Sequence, residues 1–219
     1  MTPETVGDTI VSYEEIPKRP LWMKVLFQHR DPLEIPTRLW VEHSLKIGRE
    51  LSAQEIRVLL HEGEVAAATR KAERYLSYRP RTYAEVRDYL RTAGYEADIA
   101  TATAEYLESL GYIDDARYAQ DYVEQMGSHM SRRQLAWKLR TKGLSPDIIA
   151  QTLDKDSDSD REFSVALSIA RKYVEKRRNQ GIRQLRAKTG AFLSRKGFPT
   201  GMIYRVLAEL DLGSEDGIP

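Results

Sequence analysis

Glycines at 94, 143 and 197 constrain this chain more than any other feature, because each closes the same local pattern. A leucine stands four residues before each of them (Leu90, Leu139, Leu193), and each is soon followed by the pairs Asp98-Ile99, Asp147-Ile148 and Met202-Ile203. Glycine is the residue that stops a helix in the left-handed conformation without a Cβ penalty. The spacings of 49 and 54 residues are those of stacked helical repeats, each too small to bury its apolar face alone.

The starts of these helices are equally readable. Thr82 with Glu85, Ser131 with Gln134 and Ser52 with Glu55 have capping-box spacing, in which side chains satisfy the first orphan N–H groups of a helix. Val86 and Leu90, and likewise Leu135 and Leu139, are i, i+4 pairs that turn one face inward. Ser145-Pro146 reads as an N-cap followed by proline at the first helical position. The third copy has Leu185 where its cap should stand, so its start is the least defined. From Ser52 onward the pattern predicts helices at about 53–61, 64–78, 82–93, 97–110, 114–127, 131–142, 146–153, 160–179, 182–196 and 199–210. These group into three-helix units at 64–110, 114–153 and 160–210.

Residues 1–51 differ. Two β-branched and aromatic runs, 9–16 and 21–27, are separated by the breaker cluster from Pro17 to Pro20, which predicts strands. Asp31-Pro32 makes a turn, 33–35 reads as a third strand, and 36–45 as a short helix. Such a sheet is too small to be stable alone. The expected organisation is therefore mainly α: a β-rich segment at 1–51, a linker helix and first repeat at 52–113, a second repeat at 114–153, and an acidic linker, third repeat and polar, frayed tail at 154–219.

Composition excludes several classes. With 41% hydrophobic and 31% charged residues among 219, the chain reads as one or two soluble, helix-rich domains. No apolar run approaches the roughly 18 residues of a membrane span. The amino terminus lacks the basic and apolar regions of a secretory leader. The absence of cysteine removes disulfides, thiolate nucleophiles and thiolate metal sites, and the cytoplasm is the expected compartment. Neither a glycine-rich nucleotide fingerprint nor a Walker loop occurs. His29, His43, His61 and His129 lie far apart with no metal-ligand spacing, and Asp114-Asp115 falls where a helix needs an N-cap. The sequence thus nominates no active site and no cofactor, and predicts a non-enzyme.

Charge is sorted along the chain. Residues 131–142 carry Arg132, Arg133, Lys138, Arg140 and Lys142 with no acid, and residues 171–196 hold ten Lys or Arg against Glu175 alone. Between them Asp154, Asp156, Asp158, Asp160 and Glu162 form an acidic stretch, read as a solvated linker whose last acids favour the next helix N-terminus. Such sorting points to a polyanionic partner. Arg133, Trp137 and Arg140 share the helix face opposite Leu135 and Leu139. A tryptophan between guanidiniums there can stack on bases while the arginines hold phosphates; alternatively it packs on a neighbouring repeat and the arginines are solvated. Arg79, Arg81, Arg87 and Arg91 supply the first repeat, and Lys176, Arg177, Arg178, Arg183, Arg186, Lys188, Arg195 and Lys196 the third.

Taken in order, residues 72–81, 85–90, 110–119 and 139–143 resemble the RecX family, regulators of the bacterial RecA recombinase. The resemblance covers about 64–210. The degraded third repeat departs from the pattern, and the first 51 residues resemble an extension found in only some members. What the resemblance implies is an elongated, curved solenoid of three-helix repeats, a monomer lying in the groove of a RecA–single-stranded DNA filament. It implies inhibition of RecA ATP hydrolysis and strand exchange, hence control of recombination, DNA repair and the SOS response, with no catalysis of its own. Naked single-stranded DNA would be bound weakly and salt-dependently. Two rivals stay open. A helix-turn-helix transcription regulator would want a symmetric dimer and a recognition helix with Asn or Gln near its start, for which Gln134 is the candidate. A protein-binding helical scaffold leaves the basic helices unexplained.

Overall fold

The computed structural model describes residues 6–17, 19–155, 159–177 and 181–210. Two compact units divide the chain, Met1–Ile113 and Asp114–Pro219. In the first, strands β1 (Asp8–Glu15), β2 (Trp22–Phe27), β3 (Leu33–Pro36) and β4 (Glu50–Leu51) form an antiparallel sheet in the order β3-β2-β1-β4. The first three follow the sequence pattern. Strand β4 was not anticipated, since two residues carry no alternation to read. The segment after β3 is a short helix as expected, α1 (Thr37–Glu42).

Helix α2 (Ala53–Leu76) is a single helix of 24 residues, about 36 Å long at 1.5 Å per residue. The expectation of two helices broken near residue 63 is therefore corrected. Gly63 is not a stop but a point of close approach: a Cβ there would lie 3.3 Å from the Glu34 carbonyl oxygen and 3.4 Å from Ile35 Cγ2 of β3. The first half of α2 gives Ile56 and Leu59 to the sheet's core with Ile10, Val25, Ile35 and Leu51. Its second half gives Ala68 and Ala72 to a different core, with Val86 and Leu90 of α3 (Tyr83–Thr92) and Ile99, Ala104 and Leu107 of α4 (Ala97–Ser109). One helix thus supplies the buried partner that so small a sheet lacks and completes the first three-helix repeat.

At the sheet's edge Asp8 is buried, 5% exposed. Burial opposes its charge, but the backbone N–H groups of His29 and Thr9 donate to it at 2.9 and 2.8 Å, and the His29 ring lies 3.2 Å away. The donors prevail, and the carboxyl is held below its ordinary value of 3.8. Arg30 adds a looser ionic contact at 3.9 Å. The result staples the start of β1 to the turn that follows β2.

The second unit holds two repeats. Helices α5 (Asp115–Met126), α6 (Arg132–Thr141) and α7 (Pro146–Lys155) enclose Ala119, Val123, Leu135, Leu139, Ile149 and Leu153. Helices α8 (Ser159–Glu175), α9 (Ile182–Arg195) and α10 (Thr200–Glu209) enclose Ala166, Ala170, Leu193, Phe198 and Val206. Every one of these helices falls within a few residues of its predicted span; the expected tail lies outside the described residues.

The leucine–glycine pattern has a double cause. In each repeat the leucine side chain is fully buried, and its carbonyl accepts a hydrogen bond from the residue after the glycine: Tyr95 N–H at 3.2 Å, Leu144 at 3.3 Å, Phe198 at 3.2 Å. That closure requires the glycines to be left-handed, and φ is +95°, +82° and +84° at Gly94, Gly143 and Gly197. The surroundings differ. A Cβ on Gly94 would meet open space, whereas on Gly197 it would lie 3.1 Å from Ser131 Oγ and 3.2 Å from Arg133 Cβ.

Two outcomes follow. Gly94→Ala should cost about 1–2 kcal/mol, the left-handed penalty alone, and Gly197→Ala measurably more, read from urea melts. Asp8→Ala should cost about 1–3 kcal/mol for the orphaned donors. Because the Asp8 pKa is lowered on folding, its contribution is complete above about pH 4 and lost as pH falls further. The deficit of Asp8→Asn relative to wild type should therefore shrink in acid; a constant deficit down to pH 2.5 would contradict the clamp.

Candidate functional site

Helix α6 is built from the residues upward as a two-sided element. Leu135 and Leu139 fill the core at 4% and 0% exposure, which turns Arg133, Trp137 and Arg140 outward. Trp137 is 60% exposed, and Lys138 Nζ stands 5.2 Å from its ring centroid. Among the described residues no carboxylate pairs with Arg133 or Arg140. Lys142 is half-buried at the helix end. Flat aromatic surface flanked by charge-uncompensated guanidiniums can stack on a planar ring and bind phosphate at once.

Arg132 behaves differently from its neighbours. Its guanidinium pairs with Asp154, and its backbone N–H donates to Glu162 Oε1 of α8 at 3.1 Å. Ser131 accepts from Gln134 N–H at 3.2 Å and donates its own proton to the Lys196 carbonyl at the end of α9, at 2.5 Å. The reciprocal half of the expected capping box is absent: Gln134 Oε1 is buried without a hydrogen-bond partner, and Glu162 takes a first-turn N–H instead. The N-terminus of α6 therefore meets a carboxylate and the C-terminus of α9, an arrangement the opposed end charges of two helices favour. Gly197 lets that end approach. Of the acidic stretch, Glu162 thus joins the third repeat to the second, while Asp154, still 71% exposed, pairs with Arg132 inside the second repeat. Nothing in the sequence revealed this, since the pairings span 22 and 30 residues. Asp156 and Asp158 lie outside the described residues.

In the first repeat Arg79 and Arg91 are exposed. Arg81 lies 4.1 Å from the Tyr75 ring, which stacks on Tyr89 at 4.0 Å. Arg87 pairs with Asp88 at 2.9 Å. Tyr78, 79% exposed beside Arg79, is an outward aromatic that charge counting passed over. In the third repeat Lys176, Arg183, Arg186, Lys188 and Arg195 are exposed. Arg177 packs on Tyr173 at 4.0 Å, and Lys196 Nζ is 5.9 Å from the Phe192 ring. Arg178 lies outside the described residues. The recurrence is strongest by helix rather than by position: Arg91 and Arg140 both stand three residues before their glycine, where the third repeat has Ser194.

These features define a helical-repeat protein whose chain runs from a small sheet into three three-helix units, with basic side chains on the middle helix of each. Among the described residues no group of His, Asp and Glu could hold a metal ion, and no helix is long and apolar enough to cross a membrane. Residues 68–107, 114–153 and 160–207 match, in order, the first, second and third three-helix domains of RecX. A regulatory protein RecX of Bacillus licheniformis is 30% identical over 179 residues, spanning 81% of this chain and 68% of that protein. One from Mycobacterium avium is 36% identical over 143 residues, spanning 63% and 81%. A crystal structure of regulatory protein RecX has a TM-score of 0.76 at 22% identity, covering 93% of this chain and all of that one (100%). RecX from Lactobacillus salivarius has a TM-score of 0.60 at 26% identity, over 68% and 98%. The chain belongs to the RecX family of regulatory proteins.

The junction predicts an asymmetry between caps. Ser131→Ala removes a cap and strands the Lys196 carbonyl, so it should cost about 2–3 kcal/mol. Ser52→Ala removes a solvent-exposed cap and should cost about 1 kcal/mol. Equal losses in denaturant melts would mean that the Ser131–Lys196 bond contributes nothing.

Proposed function

We infer that this chain regulates RecA by binding along the groove of the RecA–single-stranded DNA filament, lowering its ATP hydrolysis and strand exchange without catalysis of its own. The observation that carries this is the outward face of α6, where Arg133, Trp137 and Arg140 stand without a paired acid among the described residues. Membership of the RecX family supports the partner, and exposed basic residues on α3 and α9 support a contact repeated along the chain. Each repeat offers few basic groups, so a naked flexible strand must lose entropy to meet them all. A filament presents DNA and protein already ordered at fixed pitch, and contacts from successive repeats then add. Arg132 belongs to the scaffold in this reading, because Asp154 already neutralises it. By the same reading the chain acts as a monomer in the cytoplasm.

Steady-state RecA ATPase on single-stranded DNA, titrated with wild type, should fall at substoichiometric protein. A variant with Arg133, Trp137 and Arg140 changed to alanine should need at least tenfold more protein for equal inhibition. An unaffected rate at several-fold excess of wild type would remove the RecA assignment; equal potency of the two would move the contact elsewhere. Separately, affinity for naked single-stranded DNA should fall with salt by roughly 0.7 log units per log unit for each phosphate neutralised. Arg133→Glu with Arg140→Glu should flatten that slope, whereas Arg132→Ala should leave it unchanged.

A further inference from the structure

The proposed function leaves the N-terminal sheet unused, yet one edge of it combines two costs. Leu21 holds φ at +68°, a left-handed conformation disfavoured for a branched side chain. Its side chain is 81% exposed, so no burial offsets the strain. The backbone there is pinned, because the Leu21 carbonyl accepts from Thr37 N–H at 2.8 Å. The turn Arg19–Trp22, closed by Trp22 N–H to the Arg19 carbonyl at 3.1 Å, sets this conformation at Leu21, and it holds the apolar side chain at the rim of a groove.

Beside Leu21 lies a groove of about 490 Å³, bounded by the start of β2, α1, α2 and Tyr106 of α4. Its apolar lining includes Trp22, 8% exposed, and Val41, 71% exposed. Its charges are unbalanced. Arg70 lies 5.8 Å from the Trp22 ring centroid and has no carboxylate partner among the described residues. Arg38 reaches Glu42 only at 3.8 Å, both side chains being 54% exposed. Glu73 is the acid of the lining.

We propose that this groove docks a segment of another protein that presents apolar side chains to Leu21, Val41 and Trp22 and a carboxylate to Arg38 and Arg70. The apolar lining and Glu73 argue against a phosphate backbone. A second copy of this chain is disfavoured because a two-fold contact would set the same basic rim against itself. An acidic, apolar segment satisfies both the exposed surface and the unpaired guanidinium.

The test is panning of a random 16-residue peptide library on the full-length protein, with counterselection on Val41→Glu. Both Val41 and Arg70 are exposed, so their variants fold. Enriched sequences should carry two or more apolar residues with a neighbouring Asp or Glu, and should bind Arg70→Glu at least tenfold more weakly. Leu21→Gly separates fold from function: it should melt at a higher temperature than wild type, having lost the strain, yet bind the peptides less well. Enrichment indifferent to Val41→Glu, or sequences lacking acids, overturns the proposal. So does a dimer in light scattering that Val41→Glu dissolves, which makes the face a self-contact. So does weakened single-stranded DNA binding by Arg70→Glu with peptide binding intact, which makes the ligand a nucleic acid.

Discussion

Two aliphatic side chains on a ten-residue helix are the constraint from which the rest of this molecule follows. Val86 and Leu90 on α3, and Leu135 and Leu139 on α6, are buried at 0–4% exposure, and a helix so short has no room for a wider apolar stripe. Alone, it would not be stable in water. Each is held because flanking helices cover that pair, because a hydroxyl caps its start, and because the second aliphatic residue's carbonyl anchors the glycine turn at its end. Most positions of α6 outside that stripe are released from packing, Ala136 and Gln134 excepted. On α6 that freedom is filled with Arg133, Trp137, Lys138 and Arg140, so the economy of the core and the chemistry of the surface are two sides of one helix.

Most of the fold was legible because its signals are local. Capping hydroxyls, i, i+4 pairs and left-handed glycines each act within six residues, and the helices of the repeats appeared where these signals placed them. The misreadings have one cause, a partner distant in sequence. Residues 53–61 and 64–78 read as two helices, yet Gly63 between them sits inside one helix, against Glu34 and Ile35 of the sheet. Gln134 looked like half of a capping box, but its Oε1 makes no hydrogen bond, and the neighbouring first-turn N–H of Arg132 goes to Glu162, 30 residues away.

The candidate site was legible in part for the same reason. That α6 turns Arg133, Trp137 and Arg140 outward follows from helical spacing alone. That Arg132 is claimed by Asp154, Arg81 by Tyr75 and Arg87 by Asp88 does not, because counting cations says nothing of their neighbours. The correction narrows the face. A basic residue already paired in the scaffold has less to gain from a phosphate, since one partner must be surrendered for the other. The exposed, unpaired arginines are those with the most to offer a polyanion, and they are fewer than the sequence implies.

The hydroxyl of Ser131 carries a consequence for synthesis on the ribosome. Its lone pair is used at once, by Gln134 three residues on, so α6 can be capped as soon as it emerges. Its proton finds its acceptor, the Lys196 carbonyl, 65 residues later. At roughly 5–20 residues per second, the second repeat spends several seconds outside the tunnel with that donor served only by water. That bond waits on a helix end not yet made, so the join between the second and third repeats closes only after both have been translated.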